Sequence, residues 1–349
     1  MSSFRNLKVV AKIRESSLVT SFHLAAEDGA PLDGFKPGQF LVFRLAVPGG
    51  EVVRNYSLSG SPDQLGHYRI SVKRETHGAS SRHLHDSVQV GETLLADGPR
   101  GTFILDEGSD RPVVLLSGGV GLTPMVSMLH ALAHRTLRRV LFLHACETGD
   151  VHALREEVDG LVKLRPGLAA HYCYREPSPE DRRSGQFQSE GFITRDVIQS
   201  LLCLDEYDFY LCGPPPFMQA MYQTLRGLGV AKERIAYEFF GPATVLETVV
   251  KPEPAPKSAP ATTPGAIMVE FRKSGVVTEW TGAADSLLSL AEDAGLSPEF
   301  SCRAGICGTC KSHLTSGEVD YFEDPLDELE AGEVLLCCSR PTTSVVLDL

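Results

Sequence analysis

The sequence predicts a multidomain β and α/β protein: an antiparallel β-barrel, a doubly wound α/β domain and a small mixed C-terminal domain. Three observations carry this prediction. The first hundred residues hold short apolar-rich runs punctuated by turn residues, the grammar changes at Pro112 to strand–helix alternation, and a proline-rich stretch over 250–265 sets off residues 266–349. At 349 residues the chain is long enough for two or three domains, each with its own core.

Runs over 7–13, 19–25, 39–46, 53–59, 67–73 and 93–96 predict the barrel strands within 1–108. The segment Pro112-Val113-Val114-Leu115-Leu116-Ser117 predicts a buried parallel strand, followed by a glycine-rich turn and a helix over 123–133. A strand over 139–145, a helix near 152–164 and a strand over 207–212 continue the alternation through 109–249, the pattern of a nucleotide-binding sheet. The stretch 250–265 has five prolines and no helical or strand period, so it predicts a semi-extended linker. Beyond it, strands over 267–272 and 276–280, a helix over 286–294 and a closing strand over 345–348 make a compact domain within 266–349.

Composition is that of an ordinary globular protein, with 42% hydrophobic residues and no apolar run of membrane-spanning length. The start MSSFRNLKVVAKIRESS has no apolar core of the secretory kind, so a cytoplasmic protein with no membrane partner is expected. Net charge is −12, and residues 266–349 hold 5 Lys and Arg against 15 Asp and Glu. An acidic domain argues against a nucleic-acid partner and is compatible with docking on a basic patch; solubility alone is the rival explanation. Four of nine cysteines, Cys146, Cys173, Cys203 and Cys212, are scattered through apolar stretches, which suits a reducing compartment.

Cys302, Cys307 and Cys310 stand in C-x4-C-x2-C spacing, with Cys337 further on. That is the ligand spacing of a plant-type [2Fe–2S] cluster held by four thiolates. Gly305 and Gly308 let the backbone turn tightly and aim N–H groups at sulfur. Cys338 competes for the fourth place; Cys337 is chosen because it directly follows the apolar run Leu335-Leu336. Buried cysteines and a zinc site are the alternatives, but zinc favours paired C-x2-C units and one is present.

Arg54-Asn55-Tyr56-Ser57 ends an apolar strand. Arginine offers a fork for phosphate, tyrosine a face for an isoalloxazine ring, and serine a hydroxyl for a ring nitrogen. Gly78-Ala79-Ser80-Ser81 opens a helix-like segment whose N-terminus suits phosphate oxygens. Together they predict flavin binding through Arg54, Tyr56, Ser57, Gly78 and Ser81; a strand end with a core tyrosine is the plain alternative. Gly118-Gly119-Val120-Gly121-Leu122-Thr123-Pro124, between a buried strand and a helix, predicts a pyrophosphate turn, although it is not G-x-G-x-x-G. Cys212-Gly213-Pro214 ends a later strand and would reach the same sheet edge, near the nicotinamide. In Tyr237-Glu238-Phe239-Phe240 an aromatic residue would cover the flavin, with Glu238 beside the reactive edge; two adjacent phenylalanines are as often plain core.

With these motifs assembled, residues from about 5 to 245 resemble the reductase portion of flavohaemoglobins, in the ferredoxin–NADP⁺ reductase superfamily. RNYSLS, SVKRE, LLSGGVGLTPM, ETGDVHA, YLCGPPPFM and YEFFGPA carry the resemblance, and 266–349 is similar to plant-type ferredoxins. The domain order resembles that of phthalate dioxygenase reductases and of the reductase of hybrid cluster protein. The resemblance implies a flavin-binding barrel, an NAD(P)-binding domain and a C-terminal β-grasp ferredoxin domain. On matching positions, it implies flavin contacts at Arg54, Tyr56 and Ser57, with Ser81 on the flavin phosphates. Gly119, Gly121 and Thr123 would cradle the dinucleotide, assisted by Cys212, Gly213 and Pro214. Phe240 would stack on the flavin with Glu238 beside it. No globin stands before the barrel in this sequence, so haem chemistry is not carried over.

The flavohaemoglobin branch implies FAD, with FMN as the alternative. Glu147, ending the second strand of the nucleotide domain, favours a ribose 2′-hydroxyl and so NADH, with NADPH as the alternative. The expected activity is an NADH-dependent flavin and iron–sulfur reductase, with Ser57, Cys212, Glu238 and Phe240 at its reacting centre. Its protein acceptor is expected to be the terminal oxygenase of a multicomponent oxygenase, with hybrid cluster protein or a haem protein as alternatives. A redox sensor is the rival from another class.

Overall fold

In a computed structural model of the protein, residues 4–240, 267–300, 303, 305, 306, 308–326 and 328–349 are described. They fall into two compact units, one ending at Phe240 and one whose described part begins at Ile267. The expected linker, 250–265, lies outside the described residues, as do Cys302 and Cys307.

Among the described residues, the first unit opens with six antiparallel strands: β1 (Arg5–Arg14), β2 (Val19–Ala26), β3 (Phe40–Val47), β4 (Gly50–Ser57), β5 (Tyr68–Lys73) and β6 (Thr93–Arg100). Their order is β4-β3-β6-β1-β2-β5, and a bridge between Leu58 and Ile70 brings the end of β4 back to β5. Inward side chains such as Leu7, Phe22, Leu41, Phe43 and Ile70 fill the barrel. β6 runs past the expected Ala96 to Arg100. Its Asp97-Gly98-Pro99 reads as a turn, yet Gly98 adopts φ +112 and the pairing with β3 shifts register there, so the strand bulges instead of ending. Helix α1 (Ala79–Asp86) buries Leu84.

A parallel sheet follows, with β7 (Val113–Gly118), α2 (Leu122–Arg135), β8 (Val140–Cys146), α3 (Arg155–Val162), β9 (Leu168–Tyr174), α4 (Pro179–Ser184), β10 (Ser189–Glu190), α5 (Arg195–Leu201), β11 (Asp208–Gly213), α6 (Pro215–Gly227) and β12 (Ile235–Phe239). The order β10-β9-β8-β7-β11-β12 reverses direction at β7, so the crevice between the C-terminal ends of β7 and β11 is the switch point where such sheets take ligands. The helix expected near 152–164 starts later, at Arg155, because Leu154 sits at φ +55 after a 3₁₀ turn. β9 was not among the expected strands, because Ala169, Ala170 and His171 interrupt the strand signal of Leu168, Tyr172 and Tyr174.

The second unit contains β13 (Ile267–Phe271), β14 (Val276–Trp280), α7 (Leu287–Asp293), β15 (Lys311–Ser316), β16 (Val319–Tyr321), β17 (Glu333–Leu335), β18 (Ser339–Pro341) and β19 (Val345–Leu347). A hairpin, a helix and a parallel closing strand (β13 against β19) make the β-grasp, in the order β14-β13-β19-β15-β17. Ser286 caps α7 by accepting from the Ser289 N–H, and Leu287, Leu288 and Ala291 share one buried core with Phe271 and Cys338.

Candidate functional site

The end of β4 presents Arg54 exposed, Tyr56 half-buried and Ser57 buried. Tyr56 packs its ring on Phe43, 5.8 Å between centroids, and burial pushes its phenol up to about 12. It therefore stays neutral and offers a face rather than a charge. Beyond Ser57 the chain is locked by buried hydroxyls: Ser59 Oγ lies 2.8 Å from Ser71 Oγ, which lies 2.7 Å from Ser21 Oγ.

At the start of α1, Gly78 has no room for a side chain, because a Cβ there would stand 2.5 Å from Ser81 Oγ. Ser81 Oγ accepts from the Glu75 N–H (3.1 Å) and donates to Gly78 O (3.3 Å), so its hydroxyl is already used in shaping the turn. Ser80 Oγ, by contrast, is buried with no hydrogen-bond partner among the described residues. The motif pointed to Ser81; the unsatisfied hydroxyl next to it was visible in sequence only as a doubled serine.

At the switch point, β7 runs into the 3₁₀ turn Gly119–Gly121 and then α2. Gly119 adopts φ +53 with open space beside it. A Cβ on Gly121 would fall 2.3 Å from the Cys212 carbonyl oxygen, and one on Gly213 2.6 Å from the ring of Phe217. The two turns thus touch through bare backbone, the close approach that a pyrophosphate turn requires. Thr123 is buried and donates to Val120 O at 3.1 Å, while Pro214 precedes α6 in extended conformation. Phe217, which wedges the two turns, was missed because a phenylalanine in a helix reads as core.

Cys212 pairs in register with Glu238 on β12. The thiol is fully buried; desolvation first, and the Glu238 charge second, push it well above its ordinary range. It is a neutral packing thiol at pH 7 and no nucleophile. Phe240, just past β12, is partly buried against the core of the nucleotide domain. Glu147 is exposed after β8, and its carboxylate lies 3.1 Å from Arg175 Nε, while Arg175 also holds Glu176 at 2.9 Å. The fold thus gives the Glu147 carboxylate an arginine partner from the end of β9.

In the second unit, Arg303 (φ +52), Gly305 (φ +70) and Gly308 (φ +68) turn the loop in the left-handed region. The Gly305 N–H donates to Cys337 Sγ at 3.3 Å, and Cys310 and Cys337 are both buried. Arg303 places its guanidinium 4.0 Å above the Phe300 ring and pairs with Glu292 of α7 at 2.5 Å. Buried thiols in an amide-lined turn are a donor set that fits a thiolate-held cluster. Cys338 is buried too; a Cβ on Gly305 would come 3.0 Å from its sulfur, which donates to Leu335 O at 3.7 Å. Cys302 and Cys307 lie outside the described residues, and among the described residues no three His, Cys, Asp or Glu side chains are grouped to hold a metal ion.

A groove of about 810 Å³ opens at the opposite edge of the parallel sheet, lined by Arg111, Arg138, Arg139, Asp205 and Glu206 among others. Its arginines are paired with Asp205, Glu206 and Asp208, and it lies away from the switch point. Among the described residues no helix is long and apolar enough to cross a membrane.

Three family models match the chain in order: an oxidoreductase FAD-binding domain over 6–104, an oxidoreductase NAD-binding domain over 115–223 and a 2Fe-2S iron-sulfur cluster binding domain over 271–342. A flavohemoprotein of Bacillus thuringiensis subsp. konkukian (strain 97-27) is 42% identical over 252 residues, 70% of this chain and 62% of that protein. The chain thus spans about 62% of the length of such relatives. The flavohem-like FAD/NAD binding domain of nitric oxide dioxygenase from Vibrio cholerae O1 biovar El Tor is 37% identical with a TM-score of 0.61, covering 68% of this chain and 98% of that one. Phthalate dioxygenase reductase is 27% identical with a TM-score of 0.58, covering 99% of this chain and 98% of that one.

Proposed function

The chain belongs to the flavohemoprotein-like FAD/NAD-binding oxidoreductases and carries a 2Fe-2S domain behind that module, and on this basis we propose that it takes electrons from NADH through FAD and a [2Fe–2S] cluster to the terminal oxygenase of a multicomponent oxygenase. One observation carries the choice of acceptor: the likeness to phthalate dioxygenase reductase runs over 99% of the chain, with all three domains in the same order.

Bound flavin supplies the conversion of a hydride into single electrons, and a bound cluster supplies a one-electron outlet. The chain's residues position and exclude. Arg54 would offer its guanidinium to flavin phosphate, Tyr56 a face to the ring, and Ser57 a hydroxyl to a ring nitrogen. Ser80 and the N-terminus of α1 receive phosphate oxygens. Gly119, Gly121 and Thr123 admit the dinucleotide to the backbone of the switch point. Cys212 and Glu238 would line the nicotinamide end, the buried neutral thiol leaving no room there for water, and Phe240 would pack over the flavin. Cys302, Cys307, Cys310 and Cys337 would hold the cluster.

A second reading has its own support: the flavohemoprotein relatives match 252 residues of the chain at about 40% identity, which favours a haem protein as acceptor. Steady-state NADH oxidation by the purified protein separates the readings. Oxygenase-type turnover requires a Rieske oxygenase to stimulate it strongly while a haem protein and hybrid cluster protein do not; the reverse order contradicts the proposal. Slow NADH oxidation with ferricyanide as well as with every protein acceptor supports a sensor instead.

A further inference from the structure

Within the first unit, one carboxylate joins the barrel to both helices behind the switch point. Arg69 on β5 donates from Nη1 and Nη2 to Glu157 on α3, at 2.7 and 2.8 Å. The same guanidinium donates from Nε to Ser59 Oγ (3.2 Å) and from Nη2 to the Ser59 carbonyl. On the far side, His130 Nε2 of α2 lies 2.5 Å from Glu157 Oε1. Side-chain exposure is 12% for Arg69, 16% for His130 and 24% for Glu157, so this is a largely enclosed network and not a surface pair. Burial pushes the Glu157 carboxyl up, and hydrogen bonds from His130 and Arg69 outweigh it, holding the pKa at about 2.

Each end of the network leads to one half of the site. Ser59 is two residues beyond Ser57 on the segment that ends β4, and Arg69 grips it by both backbone and hydroxyl. His130 is on α2, which springs directly from the Gly119–Gly121 turn, and β5 packs against that turn. A bidentate arginine–carboxylate fork fixes orientation as well as distance. Hydride transfer needs its reacting atoms about 3–3.5 Å apart, and a 1 Å misplacement costs on the order of 10²-fold.

We propose that Glu157 is a positioning residue for hydride transfer, tying the Ser57–Ser59 segment to α2 through Arg69 and His130 and so setting the spacing between flavin and nicotinamide. This rests on the NADH-to-flavin route proposed above. It assigns a role in the reaction to an ion pair outside the motifs assigned to the cofactors.

The test is Glu157→Gln in the flavin-loaded full-length protein, with His130→Gln as a second variant that removes one donor. Rapid mixing with NADH should show the saturating rate of flavin reduction falling about tenfold or more in Glu157→Gln, with a smaller fall in His130→Gln. The NADH dissociation constant, the flavin content and the rate at which ferricyanide reoxidises reduced flavin should stay at wild-type values. In nucleotide-free protein, amide exchange at Leu58, Ser59 and the first turn of α3 should speed up. Wild-type reduction rates in both flavin-loaded variants overturn the proposal, as does a rate loss that merely follows lost flavin. Failure of the wild-type protein to reduce its flavin with NADH overturns the proposed route and not the tie, which the exchange measurement then decides alone.

Discussion

The backbone N–H of Gly305 points at the sulfur of Cys337, 3.3 Å away, while the sulfur of the next residue, Cys338, packs against the Cα side of the same glycine. One glycine therefore distinguishes two adjacent thiols: the first receives an amide hydrogen bond, as a cluster-bound thiolate does, and the second fills core.

Replacing these cysteines should separate them. Cys337→Ala should abolish the visible absorbance of the cluster and its iron and acid-labile sulfide, whereas Cys338→Ala should keep both and lose about 1–2 kcal/mol of stability from the emptied core position. Retention of a normal cluster in Cys337→Ala with loss in Cys338→Ala would reverse the ligand assignment.

Gly305→Ala should destabilise the second unit by about 1–2 kcal/mol, since φ +70 strains any L-residue and the new Cβ crowds Cys338. Denaturant melting of the purified variant measures this, and an unchanged midpoint would show that the loop relaxes freely.

Gly121→Ala should raise the KM for NADH by about tenfold or more, because a Cβ 2.3 Å from Cys212 O forces the two turns of the switch point apart. Flavin content should not change. An unaltered KM would place the dinucleotide elsewhere.

Glu147→Gln should raise the kcat/KM ratio of NADPH to NADH by about tenfold, equivalent to roughly 1.4 kcal/mol. Removing the carboxylate both ends its repulsion of a 2′-phosphate and frees Arg175 from one partner. The double variant with Arg175→Gln should lose most of that gain; a gain that persists without Arg175 would leave the arginine no part in it.

Two buried histidines predict an acid limb in stability. Burial lowers His144 to about 4 and His152 well below its usual value. The unfolded chain takes up these protons first, so stability is full above about pH 6.5 and falls as pH drops toward 4, by about 3 kcal/mol for His144. Chemical denaturation at pH 7 and pH 5 measures the slope, which should flatten in His144→Gln.

Most of the fold was legible because its signals are local. The all-apolar Val113-Val114-Leu115-Leu116 run, the glycines at 118, 119 and 121 and the cysteine spacing each follow from backbone or metal geometry over a few residues. What escaped was set by partners distant in sequence. β6 continued through a glycine–proline bulge because β3 pairs with it, and Glu147 met Arg175 only once β8 and β9 lay side by side. Phe217 and Ser80 are ordinary residues in sequence; a backbone cleft and an unsatisfied hydroxyl make them notable. Arg69 and Glu157 stand 88 residues apart, and no spacing rule joins them.

The proposed electron route requires a hydride-accepting flavin and a thiolate-held cluster on one polypeptide, the second reduced through the first. Anaerobic addition of one equivalent of NADH to the purified protein, followed by absorbance and electron paramagnetic resonance, tests it most directly. Bleaching of flavin absorbance together with the paramagnetic signal of a reduced [2Fe–2S] cluster, in near-equal amounts, is the expected result. Protein that contains flavin but neither iron nor labile sulfide, or a cluster that stays oxidised while the flavin is reduced, would contradict it.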